Sequence, residues 1–147
     1  MAVKLVGRGQ YTIVKLHDGK SMQLNLLCNQ PHTQYFSRLS HTFSPDYVSS
    51  PVVITPELYF SGDANNQISN VSSPVWTING KTPIEYSGVV SSSSPYSLTI
   101  NKNLVASAQL KIEFSCTVKD PDTLLSVKIS ASMCLTKQET ENLTPTM

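Results

Sequence analysis

Leu110-Lys111-Ile112-Glu113-Phe114-Ser115-Cys116-Thr117-Val118-Lys119 alternates apolar and polar residues without a slip. After Asp120-Pro121-Asp122 the rhythm resumes in Leu125-Ser126-Val127-Lys128-Ile129-Ser130-Ala131-Ser132-Met133-Cys134-Leu135-Thr136. Successive side chains of a strand point to opposite faces, so both runs describe strands with one dry and one wet face. A helix would spread the same apolar residues around its circumference. The two runs therefore predict a long hairpin around an Asp-Pro-Asp turn. Leu110, Ile112, Phe114, Cys116, Val127 and Ile129 are expected to line the core.

The rest of the chain reads in the same way. Tyr11 to Leu16 and Met22 to Cys28 predict a first hairpin, with His17-Asp18-Gly19-Lys20 as its turn, because Asp-Gly tolerates positive φ. Met22, Leu24, Leu26 and Cys28 share one face, with Gln23 and Asn25 on the other. Leu27 breaks the alternation, which implies cover on that second face too. Residues 29–50, with Pro31, Pro45, Tyr35, Phe36, Phe43 and Tyr47, read as a long irregular segment, and a loop of that length is often functional.

Val52 to Phe60 predicts a strand in which Pro56 demands an edge position or a bulge. Shorter strands are expected at Val75 to Ile78, ended by Asn79-Gly80, at Ile84 to Val90, and at Tyr96 to Ile100. Trp76, the single tryptophan, is a further core residue. Strands at about ten-residue spacing, separated by turn residues, predict an all-β sandwich. The expected division is 1–50 as a β-hairpin arm with an irregular docking segment, 51–136 as the sandwich, and 137–147 as a flexible or partner-ordered tail.

Composition narrows the function. Charged residues make up 14% of the 147-residue chain and its net charge is +1, against roughly 25% charged in ordinary soluble domains. No dense basic patch is available to neutralise phosphates, so no nucleic-acid partner is expected. No apolar run approaches the roughly 18 residues of a membrane span, so no membrane partner is expected either. Met1 to Gln10 lacks the apolar stretch of a secretory signal, which implies synthesis in the cytosol. Weak self-repulsion suits close packing against copies or partners.

Catalytic and metal signals are sparse. Cys28, Cys116 and Cys134 are widely spaced with no CxxC, and Cys28 and Cys116 fall on apolar faces, so neither a disulfide nor a zinc site is expected. His17, His32 and His41 lie in turns or loops. Asp63, Asp120 and Asp122 lack the ligand spacing of a calcium loop. Ser91 to Ser94 carries no nucleophile elbow, and Gly7-Arg8-Gly9 lacks the strand-to-helix setting of a phosphate loop. No enzyme activity and no cofactor are expected.

Within residues 50–136 the order of features resembles an immunoglobulin-like domain. Trp76 stands at the core tryptophan of the third strand, and Cys116, 40 residues later, at the second cysteine of the sixth. Phe114 takes the tyrosine-corner position. No cysteine lies on the presumed second strand, so the inter-sheet disulfide of that family is absent, and the corner hydroxyl is missing.

The N-terminal stretch carries a second resemblance. Arg8-Gly9-Gln10-Tyr11-Thr12-Ile13-Val14, Asp18-Gly19, Asn29-Gln30-Pro31-His32-Thr33-Gln34 and Val53-Ile54-Thr55-Pro56-Glu57-Leu58 resemble phage and prophage tail-fibre or minor structural proteins, in which a short β arm precedes immunoglobulin-like repeats. The resemblance implies a virion structural protein, homo-oligomeric with a trimer favoured, whose arm docks onto other virion proteins. Arg8, Gln10, Thr12, Asn29, Gln30 and Gln34 are the expected docking residues. A head-fibre or capsid-decoration protein is the nearest alternative. A stand-alone glycan-binding or adhesin module, with Tyr59 or Tyr86 contributing, is the alternative from another class.

Overall fold

A computed structural model describes residues 10–15, 21–104, 109–121 and 123–140, with residues 10–15 and 140 as backbone alone. These residues form an all-β structure of two five-stranded sheets. The strands are β1 (Gln10–Lys15), β2 (Ser21–Cys28), β3 (Thr33–Ser37), β4 (Thr42–Ser44), β5 (Val52–Phe60), β6 (Ser72–Ile78), β7 (Gly88–Val90), β8 (Leu98–Ile100), β9 (Leu110–Lys119) and β10 (Ser126–Thr140). One sheet has the order β1-β2-β5-β8-β7 and the other β4-β3-β10-β9-β6. Every pairing is antiparallel except β3 with β10, which is parallel.

The alternation of β9 and β10 becomes one register. Ile112 faces Met133, Phe114 faces Ala131, and Cys116 faces Ile129. All six are buried, as is Trp76, which stands across from Phe114 on β6. Leu110 and Val127, at the two ends of the hairpin, are half-buried against the same core. From the opposite sheet, Met22, Leu24, Leu26, Ile54, Leu58, Leu98 and Ile100 join that core. Each such Leu or Ile contributes about 1.5–3 kcal/mol by leaving water.

The turns follow from local chemistry. Asn79 (φ 52°) and Gly80 (φ 80°) both sit in the left-handed region, and Ile78 and Lys81 exchange two backbone hydrogen bonds across them. At the β9–β10 turn, Thr123 Oγ1 donates to the buried Asp120 carboxylate at 3.0 Å. The Asp18-Gly19 turn lies outside the described residues.

Several expectations need correction. Residues 29–50 are not one irregular segment: β3 and β4 pair as a hairpin within them. The expected tail starts inside a strand, because β10 continues to Thr140 beside β3. The expected boundary at residue 50 runs through both sheets, since β2 pairs with β5 and β3 with β10. Ile84 to Val90 is not one strand. Pro83–Tyr86 forms a 3-10 turn, Ser87 takes φ 59°, and only Gly88–Val90 is extended.

Pro56 lies on β5, between β2 and β8 in the sheet. It meets its edge requirement locally. Leu58 turns its backbone away from β2, donating to Asn66 Oδ1 and accepting from Gln67 N. Pro56, two residues earlier, turns the same way, where β8 has already ended at Leu98. Its missing N–H therefore removes no ladder bond.

Strand direction sorts the loops. Residues 61–71, 91–97 and 120–125 gather at one end of the two sheets. Residues 29–32, 79–87 and 101–104 gather at the other. β1 begins, and β10 finishes, at that second end.

Candidate functional site

Residues 29–53 carry the chain from the first sheet to the second, and three of the expected docking residues lie there. Asn29 clamps the start of β5: Val53 N donates to its Oδ1 at 2.7 Å, and its Nδ2 donates to the Pro51 carbonyl at 3.2 Å. Gln30 Nε2 donates to the Ser50 carbonyl at 3.2 Å. Gln34, fully buried, donates to the Pro45 carbonyl at 2.8 Å and to Asn103 Oδ1, and accepts from Leu104 N at 2.9 Å.

Tyr47 is the anchor of this crossover. Its ring is fully buried, its hydroxyl donates to the Pro31 carbonyl at 3.1 Å, and its N–H donates to Asn103 Oδ1 at 2.8 Å. Burial, and then the neighbouring Cys28 thiol, push its phenol up to about 12. Asn103 Nδ2 in turn donates to Asp46 Oδ1. That bond, with the Val48 N–H, holds the Asp46 carboxyl below its usual range.

The amides of Asn29, Gln30 and Gln34 are thus engaged with the chain's own backbone. They fix the crossover rather than present free donors to a partner. Gln10 and Thr12 stand on β1 across from Leu26 and Leu24. Arg8 lies outside the described residues. Gln34 is fully buried, so the described ones among the six do not share one exposed surface.

A second polar group, which sequence reasoning set on the wet face of β2, is covered instead. Gln23 and Asn25 are 6% and 8% exposed, and Gln23 Nε2 donates to Asn25 Oδ1 at 3.0 Å. Their cross-strand neighbours on β5 are Tyr59 and Glu57, and on β1 Ile13 and Tyr11. Tyr59 donates its phenol to Glu57 Oε1 at 3.1 Å. Desolvation, and then the Glu57 charge, raise the Tyr59 pKa. The break at Leu27, which is half-buried, was the one sequence signal that this face is covered.

The outer face of the second sheet mixes charged and small polar side chains. It presents Lys111, Glu113, Ser115 and Thr117 from β9 beside Lys128, Ser130, Ser132 and Cys134 from β10. Past the end of β9, Lys137 Nζ lies 5.0 Å over the Phe36 ring and 5.9 Å over Phe43, and 3.7 Å from Glu139 Oε2. His41 meets the Phe36 ring edge-on. Tyr86 is half-buried against the core at the second end, far along the sheet from Tyr59.

Among the described residues, no group of three or more His, Cys, Asp or Glu side chains is placed to hold a metal. No helix among them is long and apolar enough to cross a membrane. Comparison with known protein families, characterised proteins and solved structures finds no match for this chain.

Proposed function

We propose that the chain is an immunoglobulin-like sandwich serving as a non-enzymatic structural protein of a bacteriophage virion, in a tail fibre, baseplate or fibre attachment. The observation that carries the fold is the strand order. β2-β5-β8-β7 against β3-β10-β9-β6 reproduces the A-B-E-D and A′-G-F-C sheets of that architecture. The first strand crosses from one sheet to the other, as β2 and β3, and its second half runs parallel to the last strand. Trp76 on the third strand then packs on Phe114 of the sixth, with ring centroids 4.8 Å apart.

The virion reading is supported by the tail-fibre resemblance of about the first 80 residues and by low charge. It is also supported by β1, an addition to the seven-stranded scheme. β1 returns the chain so that both described ends leave from one end of the sandwich. That arrangement suits a module joined to a larger body at one end and projecting at the other. Docking is assigned to the segment leading into β1, with a trimer as the favoured assembly. Mass spectrometry of purified phage particles is the test. Peptides of this chain in stoichiometric amounts support the reading, and their absence from particles that infect normally overturns it.

A further inference from the structure

Each sheet ends in two edge strands: β1 and β7 in the first, β4 and β6 in the second. An edge strand presents a row of open backbone groups, and proteins blunt such edges with short strands, prolines or bulges. β4 and β7 have three residues each. β6 carries Pro74, with Ser73 at φ 54° and a shift of register between Ser72 and Val75. β1 has none of these devices. Its six residues pair with β2 one for one, without proline, glycine or bulge.

Backbone direction identifies the open groups on β1. Leu58 turns away from β2, so Leu24 opposite it turns toward β1. Thr12, across from Leu24, therefore bonds to β2. Tyr11, Ile13 and Lys15 alternate with it and point their N–H and C=O groups outward. Among the described residues β1 pairs with β2 alone. The segment before β1 has the length and composition to fill that edge. Residues 1–9 reach about 30 Å when extended, against about 20 Å for the six residues of β1. Ala2-Val3-Lys4-Leu5-Val6 includes two β-branched residues, and Gly7 and Gly9 supply a hinge.

We propose that residues 2–6 of one copy add as a strand to the free edge of β1 in the next copy, extending its first sheet. The contact is head-to-tail, and three such contacts close a ring. That ring is the trimer of the assembly reading, on which this proposal rests. Pairing of β1 with β1 would be two-fold and would stop at a dimer.

The test reads mass by light scattering and backbone amide exchange by NMR. Ile13→Pro deletes an outward N–H and leaves the β1–β2 ladder whole, and Ile13→Val keeps that N–H as the control. The full chain and Ile13→Val should be trimers. Ile13→Pro should be a monomer, with the buried Trp76 still emitting at short wavelength as the sign of folding. Removing residues 1–9 should speed exchange at the Ile13 amide by at least about tenfold and leave the Thr12 amide, bonded to β2, unchanged. That comparison needs no substitution, so it decides the matter if Ile13→Pro does not fold. A trimer that persists in Ile13→Pro, or an Ile13 amide equally open with and without residues 1–9, overturns this edge as the acceptor and leaves the assembly reading standing. A dimer marks β1–β1 pairing and overturns the donor strand. A monomeric full chain overturns both the proposal and the assembly reading.

Discussion

Trp76 and Phe114 stand directly across from each other on β6 and β9, and Trp76 Nε1 donates to the Tyr96 carbonyl at 2.7 Å. The contact therefore joins three segments: β6, β9 and the loop before β8. Tyr96 holds that carbonyl in place with φ 60° and a backbone bond from its N–H to the Ser93 carbonyl.

Trp76→Phe keeps an aromatic ring but deletes the indole N–H and leaves a void. Unfolding in urea should show a loss of about 2–3 kcal/mol, and Trp76→Ala about 3–5 kcal/mol. As the chain's single tryptophan, Trp76 should emit at short wavelength when folded and shift red on unfolding. A loss below about 1 kcal/mol for Trp76→Ala would contradict its place in the core.

Gln34→Ala removes the side chain that links Pro45, Asn103 and Leu104. The buried Leu104 N–H and the half-buried Pro45 carbonyl then lose their side-chain partner, and stability should fall by about 2–4 kcal/mol in chemical denaturation. Asn29→Ala, on the exposed side of the same crossover, should cost about 0.5–1.5 kcal/mol. A docking role for these residues would predict the reverse pattern, with unchanged stability and lost assembly.

That contrast shows how far the sequence could be read. The β9–β10 hairpin was legible because ten unbroken alternations admit one period. Thr33-Gln34-Tyr35-Phe36-Ser37 has no such rhythm, and its strand exists because Thr136 to Thr140 runs parallel beside it, about a hundred residues away. The amides of Asn29 and Gln30 read as free because their acceptors, Pro51 and Ser50, lie about twenty residues on. Polar composition identifies a loop but not the backbone groups it will satisfy. Gln23 and Asn25 were correctly placed off the core face, and the break in alternation at Leu27 was the one sign that this second face is covered.

Gly88→Ala should be destabilising through close approach alone. A Cβ at that position would lie 3.0 Å from both Pro83 Cβ and the Pro83 carbonyl oxygen, and 3.2 Å from Leu98 Cδ1. Thermal denaturation should show a loss of about 1–3 kcal/mol.

Alkaline pH should weaken the fold. The Tyr47 phenol is pushed up to about 12 and the Cys116 thiol up to about 11, both chiefly by burial. Each holds its proton more tightly folded than unfolded. Their contributions are therefore complete below the unfolded values, about 9 for the thiol and 10 for the phenol, and are lost as pH rises through the folded ones. Urea midpoints measured between pH 7 and 11 should fall above pH 9. Tyr47→Phe should flatten the part of that decline above pH 10, and an unchanged slope would contradict the assignment.

The claim that the chain assembles through the segment leading into β1 is tested most directly by absolute mass in solution. Light scattering coupled to chromatography should be run on the full chain and on one lacking residues 1–9, which retains every described strand. The account predicts a trimer for the full chain and a folded monomer for the shortened one. The same oligomer in both, or a monomeric full chain, would contradict assembly through that segment.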